Sequence, residues 1–260
     1  MASNPLLKIR KTFTRLGGSI TKRILARRRT VYHQGRALFT LRNFGHMTSM
    51  RTDSFSSKEP ETIAWIDGFP PHQKLLDIGA NIGVYSLYAG LLGHEVRCIE
   101  PDALNFALLN LNIADNDLGG RVIAFPFSIH SESKVAELHI GEYRWGGARS
   151  SFDRNLSWKG EALGEGFAQG SPGITVDDFV AKTGFAPDHI KIDVDGNELL
   201  VLEGARATLA APTCRSILVE LFARHQEYHA CRAIIDECGF KPSGEGARRE
   251  DKAKNYIFVK

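Results

Sequence analysis

Two stretches of the chain bring together residues whose types and spacing suit chemistry. The first runs Leu75-Leu76-Asp77-Ile78-Gly79-Ala80-Asn81-Ile82-Gly83-Val84-Tyr85-Ser86. The run from Lys74 to Ile78 is too short for a helix and is stopped by Gly79, so it reads as a buried strand. From Val84 the apolar positions Val84, Leu87, Tyr88, Leu91 and Leu92 recur at helical spacing. A strand that enters a helix through Gly79, Asn81 and Gly83 turns bare backbone N–H groups and the positive end of a helix dipole toward a ligand. Asn81 stands where a left-handed backbone is expected, and Asn tolerates one. The next strand, Glu95 to Ile99, ends in Glu100, 21 residues beyond Gly79. An acid at that distance holds the hydroxyls of a nucleoside ribose.

The second stretch, Ile190-Lys191-Ile192-Asp193-Val194-Asp195-Gly196-Asn197-Glu198, repeats the strand, turn and helix order. Leu199, Leu202, Ala205 and Leu209 carry its helical stripe. Ligands bind outside the carboxyl ends of strands in open parallel sheets, which places Asp193 and Asp195 at a cleft. The following strand, Ser216 to Glu220, also ends in an acid; His225, five residues on, reads as a surface or capping histidine. Three carboxylates on neighbouring strand ends can hold a divalent cation or act as a general base for a hydroxyl acceptor. Their crowding would raise one pKa toward neutrality.

Glycine turn and ribose acid do not by themselves separate a nicotinamide dinucleotide from S-adenosylmethionine. The dinucleotide fingerprint needs glycine at its first, third and sixth positions, and Gly79, Asn81 and Val84 fill them here. Asp77, beside the turn, suits an ammonium and a sulfonium better than a pyrophosphate, which it would repel. Both details favour S-adenosylmethionine. A NAD-dependent oxidoreductase is the competing reading.

The remaining elements must position these two stretches. Glu59-Pro60-Glu61 opens a helix to about Gly68, with Pro at its first position. Pro101 and Asp102 begin another through about Asn116. Arg121 to Phe127 is a third strand, and Ser128 and Ile129 just past its end are placed to touch an adenine ring. Val135 to Ile140 alternates and reads as an extra strand. Residues 141–173, rich in Gly and Ser and containing Trp145 and Trp158, read as a long loop covering the acceptor. Arg224 to Cys238 is amphipathic, and Asn255 to Val259 is a terminal strand. Alternating strands and helices predict a doubly wound, mostly parallel seven-stranded sheet with a basic N-terminal arm. Residues 1–52 form the arm with short strands around Gly35 and Gly45, and 53–260 the main domain.

Charge divides the chain in the same place. Residues 1–52 hold three Lys, nine Arg and no acid, whereas the rest has 21 basic and 30 acidic residues, so +12 faces −9. Leu6, Ile9, Phe13, Leu16, Ile20 and Ile24 recur at helical spacing among the arm's cations. That pattern fits contact between residues 1–29 and an anionic membrane, a nucleic acid, a transit function, or packing on the acidic body. A nucleic-acid substrate is disfavoured, because the body would repel phosphates and no Asn/Asp-Pro-Pro-aromatic stretch for base amines is present. The four cysteines show no zinc spacing, and no apolar run reaches membrane-span length. A reducing, cytoplasmic setting with a peripheral membrane contact is the expectation.

Taken together, these pieces resemble the FkbM-type S-adenosylmethionine-dependent methyltransferases. The resemblance rests on Glu59-Pro60-Glu61-Thr62 with Trp65, Asp77-Ile78-Gly79-Ala80-Asn81-Ile82-Gly83 and Ile99-Glu100-Pro101. It continues through Gly146-Gly147, Ser150-Ser151, Thr175-Val176-Asp177-Asp178, Lys191-Ile192-Asp193-Val194-Asp195-Gly196, Leu202 to Ala205, and Val219-Glu220. Where that family usually has Glu and Ala, this chain has Asp195 and Asn197. The resemblance implies a class I, Rossmann-like methyltransferase fold and O-methylation of a hydroxyl on a sugar or secondary metabolite. The cofactor-binding residues would be Asp77, Gly79, Asn81, Gly83, Glu100, Ser128 and Asp193. Asp193 would position the acceptor or take its proton, with Asp195 and Glu220 assisting or binding a divalent metal.

Overall fold

The computed structural model describes residues 27–157, 159–164, 166–246 and 253–260. The helical pattern read over Leu6 to Ile24, and Trp158, lie outside them. The described chain opens with a hairpin of β1 (Arg28–His33) and β2 (Arg36–Arg42), turned through Gln34 and Gly35 at φ 49° and 75°. Two left-handed residues in succession are what a tight hairpin with right-handed strand twist requires. The stretch after Gly45 is helical, not a strand: α1 (His46–Asp53) leads to α2 (Phe55–Lys58) and α3 (Pro60–Asp67). Val31, Phe39 and Leu41 of the hairpin bury with Phe55, Tyr88 and Leu108 in one core, and Arg28 and Arg42 both clasp Asp115 at 2.7 Å.

The central sheet has seven strands: β3 (Lys74–Ile78), β4 (Glu95–Ile99), β5 (Val122–Phe125), β10 (His189–Ile192), β11 (Ser216–Leu221), β12 (Lys241–Glu245) and β13 (Lys254–Val259). Their order is β12-β13-β11-β10-β3-β4-β5, parallel from β11 to β5, with β13 antiparallel to both β11 and β12. Side chains alternate between the faces of a strand, so each strand feeds two cores. Leu75, Val96, Cys98 and Leu218 pack under α3, α4 (Val84–Leu91) and α5 (Ala103–Asp115). Leu76, Ile190, Ile192, Ile217 and Val219 pack under α6 (Val176–Thr183), α7 (Glu198–Glu203), α8 (Arg206–Ala210) and α9 (Tyr228–Glu237). The expected doubly wound sheet is therefore observed. The helix read through Leu199 to Leu209 breaks in two at Gly204, where a Cβ would stand 2.2 Å from the His130 carbonyl.

The segment read as a long loop over 141–173 is turn and loop for the most part, but two strands run through it, Ser150–Phe152 and Phe167–Ile174. A second sheet of order β6-β9-β7-β8 joins β6 (Ser128–Ile129), β7 (Lys134–Ile140), β8 (Ser150–Phe152) and β9 (Phe167–Ile174). Its sequence, rich in Gly and Ser, hides it because pairing with β7, not side-chain alternation, holds β9 in place. Gly173 is required there, since a Cβ would sit 2.5 Å from the Phe152 ring. All four cysteines are free, and among the described residues no helix is long and apolar enough to cross a membrane.

Candidate active site

The strand order reverses between β3 and β10: the chain runs outward from β3 to β5, then returns to β3's other side. A cleft forms at such a point outside the strand ends. Here the two turns touch. Gly79 has φ 84°, and a Cβ on it would lie 1.8 Å from the Asp193 carbonyl oxygen. Asn81 takes the expected left-handed backbone, φ 53°, and aims its N–H at Glu100 Oε2, 2.7 Å away. The other oxygen of Glu100 accepts from Asp102 N at 3.0 Å. Burial pushes the Glu100 carboxyl up to about 8. Glu100, Gly79, Ala80 and Asn81 line a cavity of about 160 Å³, whose apolar walls include Ile99, Ile129, Leu138 and Phe152. Ser128 lines it as well.

At the other end of the cavity stand Asp193 and Asp195 from the β10 turn and Glu220 from β11. All three are half-buried, and one carboxylate oxygen of each lies within 4.8 Å of the others. Asp195 is itself left-handed, at φ 56°, and its carboxylate accepts the Arg149 N–H at 2.6 Å. Burial and then the Asp193 charge push Asp195 up to about 6. Glu198 pins the turn by accepting from Val194 N at 3.3 Å and Gly196 N at 3.1 Å. Beneath it, Lys191 is almost fully buried and reaches Asp193 at 3.0 Å and Asp77 at 3.8 Å. Burial opposes the charge on Lys191, but Asp193, Asp77 and Glu59 hold it protonated.

Two of the residues expected to touch a cofactor do not line this cavity. Asp77 faces away from it, under α4, where it accepts from Ser86 and shares Lys191 with Asp193. The reason is strand parity: Asp77 points to the same face as Leu75, and Lys191 sits opposite it in the β10–β3 register. Gly83 caps α4 at φ 88°, and its missing side chain makes room for Leu109 and Leu87. Its role is packing.

The structure adds residues that the sequence reading left out. Arg51, Lys58 and Glu59 from the α1–α3 segment and Tyr85 from α4 line the cavity. Glu59 is buried against Lys58 at 2.8 Å; burial raises its carboxyl, yet Lys58 and Lys191 hold it below the usual range. The Tyr85 hydroxyl hydrogen-bonds Glu59. The wall at 146–149 is clipped to the floor. Gly147 O accepts from Asn81 Nδ2 at 2.6 Å and Asn105 Nδ2 at 3.0 Å, Gly146 N donates to Asn105 Oδ1 at 2.9 Å, and Arg51 Nε donates to Gly146 O at 2.9 Å. Trp145 anchors this wall by stacking on Phe44, with ring centroids 4.7 Å apart. An acid beside an apolar slot, a guanidinium at the rim and carboxylates farther in form a donor set that fits a nucleoside bearing an amino acid and a sulfonium.

Comparison with known proteins identifies the family. The family profile "Methyltransferase FkbM domain" matches residues 77–242, well over half of the chain. No curated protein matches the sequence. Among solved structures, a Streptococcus mutans protein assigned as a SAM-dependent methyltransferase aligns with TM-score 0.50 and 11% identity, over 89% of this chain and 55% of that one. Aeropyrum pernix fibrillarin with natively bound S-adenosyl-L-methionine aligns with TM-score 0.49 and 11% identity, over 90% and 84%. Precorrin-6y C5,15-methyltransferase from Geobacter metallireducens aligns with TM-score 0.47 and 10% identity, over 78% and 88%. The family assignment rests on the profile and on the turns that carry it. The chain belongs to the FkbM family of S-adenosylmethionine-dependent methyltransferases.

Proposed function

We propose that the protein methylates a hydroxyl oxygen of a sugar or another small secondary metabolite. The observation that carries this reading is the convergence of Asp193, Asp195 and Glu220 on one end of the cavity. The strand order β4-β3-β10 sets Asp193 about two strand spacings, roughly 10 Å, from Glu100. Glu100 would hold the ribose hydroxyls, and Ser128, Ile129 and Phe152 would flank the adenine. Arg51 would face the cofactor's carboxylate, and Glu59 with Asp193 its ammonium. Bound S-adenosylmethionine supplies an electrophilic methyl group. The carboxylates hold the acceptor oxygen in line and take its proton as the oxygen is alkylated, and positioning of this kind lowers the barrier most.

The test is transfer of labelled methyl to a panel of glycosides and polyhydroxylated metabolites, followed by mild alkali. A methyl ether survives that treatment and a methyl ester does not, so alkali-labile label, or label on nitrogen, would overturn the reading. Asp193→Asn should lower kcat about 100-fold or more, with only a smaller loss of affinity for S-adenosylmethionine from the weakened ammonium contact. A separate proposal concerns residues 1–29: their cations bring the protein to an anionic membrane surface. Flotation with anionic liposomes should be lost when those residues are deleted, and equal flotation of the shortened chain would end that idea.

A further inference from the structure

Asn197 is 4% exposed and lines the cavity beside the acidic turn. Its Nδ2 lies 3.2 Å from Ser151 Oγ and 3.2 Å from the Phe152 carbonyl, both on β8. An amide nitrogen carries two hydrogens and a carbonyl only accepts, so both hydrogens are used on this one strand. Two residues earlier, Asp195 accepts the Arg149 N–H at 2.6 Å. Three hydrogen bonds therefore stitch residues 149–152 to residues 195–197.

Strand β8 needs a hold from outside its own sheet. It is three residues long, it stands last in the order β6-β9-β7-β8, and among the described residues it pairs with β7 alone. Apolar contact adds little, since the buried members of its cluster are Leu138, Ile140 and Phe152. A short edge strand over so small a core opens easily. The turn supplies what a neighbouring strand would: an acceptor for Arg149 N and a donor for the Phe152 carbonyl. It can do so because it is itself fixed. Asp195 and Gly196 stand at φ 56° and 120°, and Glu198 accepts from Gly196 N at 3.1 Å.

The strand reaches both partners of the reaction. Phe152 walls the donor side, where it would flank the adenine, and Arg149 N meets Asp195 on the acceptor side. Movement of β8 would change the relation between methyl donor and carboxylates, and a misplacement of about 1 Å can cost about 100-fold in rate. We propose that Asn197 is a positioning residue: its amide locks β8 to the acidic turn and so holds Phe152 and Asp195 in fixed relation during methyl transfer. It acts through β8, not on the reacting atoms. This rests on the reading of the cavity as the site of methyl transfer.

The experiment compares the full-length protein with Asn197→Ala and with Asn197→Leu, since leucine keeps the branched shape and removes the donor. A thermal shift with S-adenosylmethionine on each sample shows that the variants fold. Hydrogen exchange read by mass spectrometry should find the amides of residues 149–152 exchanging at least about tenfold faster in both variants, with β3 and β4 unchanged. Well below the melting temperature, label transfer to the glycoside panel should show kcat lower by about 10- to 100-fold. KM for S-adenosylmethionine should stay within about threefold, because Gly79, Asn81 and Glu100 grip the donor without β8. A merely structural role would lower Tm and leave the kcat of folded protein intact. Unchanged exchange at 149–152, or unchanged kcat, would overturn the inference. So would recovery of kcat in Asn197→Leu, which would assign the effect to filled volume. Absence of transfer by the unaltered protein removes the methyltransferase reading beneath, whereas unchanged exchange removes the role of Asn197 alone.

Discussion

The two ends of the cavity are built on different physics. At the β3–β4 end, Asn81 N and Asp102 N point at one carboxyl, and the backbone does the holding. At the β10–β11 end, Asp193, Asp195 and Glu220 crowd together, and Lys191 beneath them is shared between Asp193 and Asp77. The first end is a shape that an added atom would spoil. The second is a charge balance that a removed atom would spoil.

That contrast can be broken on purpose. The largest effect is expected from Lys191→Met, which strips a buried cation from Asp77 and Asp193. Unfolding in urea should show a loss of about 3–5 kcal/mol, with about 1–2 kcal/mol returned by adding Asp77→Asn. A double variant no more stable than the single would mean that the Asp77 charge is not what Lys191 balances. Next comes Gly79→Ala at the other end, where left-handed backbone and collision with the Asp193 carbonyl combine. A stability loss of about 3 kcal/mol is expected by thermal denaturation, with donor affinity down at least about tenfold.

A smaller and more diagnostic change is Glu100→Gln. The folded carboxyl titrates near 8 against an ordinary 4.5, so the folded chain holds a proton that the unfolded chain has lost in that window. Its contribution to stability therefore falls as pH rises from about 4.5 to about 8. Ribose hydroxyls donate to the ionised form, so calorimetric affinity for S-adenosylmethionine should rise with pH up to about 8 and then level. Glu100→Gln should weaken binding about 10- to 100-fold and flatten the profile; a slope that survives the change would assign it to another group. The mildest is Asn105→Ala, which unclips the wall at Gly146 and Gly147. It should raise acceptor KM a few-fold and cost about 1 kcal/mol, with donor Kd unchanged.

Both chemical turns were legible in the sequence because a turn advertises itself through Gly79, Asn81 and Gly196, with its acids close by. The parallel order of the sheet followed from strand and helix alternation. Asp77 was legible as a charge but not in its direction; counting parity from Leu75 places it under α4 without any structure. Lys191 shows no role from sequence, since the fate of a cation in an apolar strand depends on what β3 sets beside it. Arg51 and Lys58 reach the cavity from a segment with no motif of its own, and only tertiary packing brings them there. Of the 134–174 sheet, β7 was legible as an extra strand, whereas β9 was hidden because it reads Phe-Ala-Gln-Gly-Ser-Pro-Gly-Ile, a composition that resembles a loop.

That second sheet is spliced into the crossover between β5 and β10. Its entry strand β6 and exit strand β9 run side by side, Ser128 beside Gly173 and Ile129 beside Ile174. An excursion whose ends adjoin can change length and content without pulling on what flanks it. The molecule thus carries an insert open to variation: Leu138 and Ser150 wall the cavity from a unit whose length and content can change, whereas Ser128, Ile129 and Phe152 are constrained by the adenine they would flank.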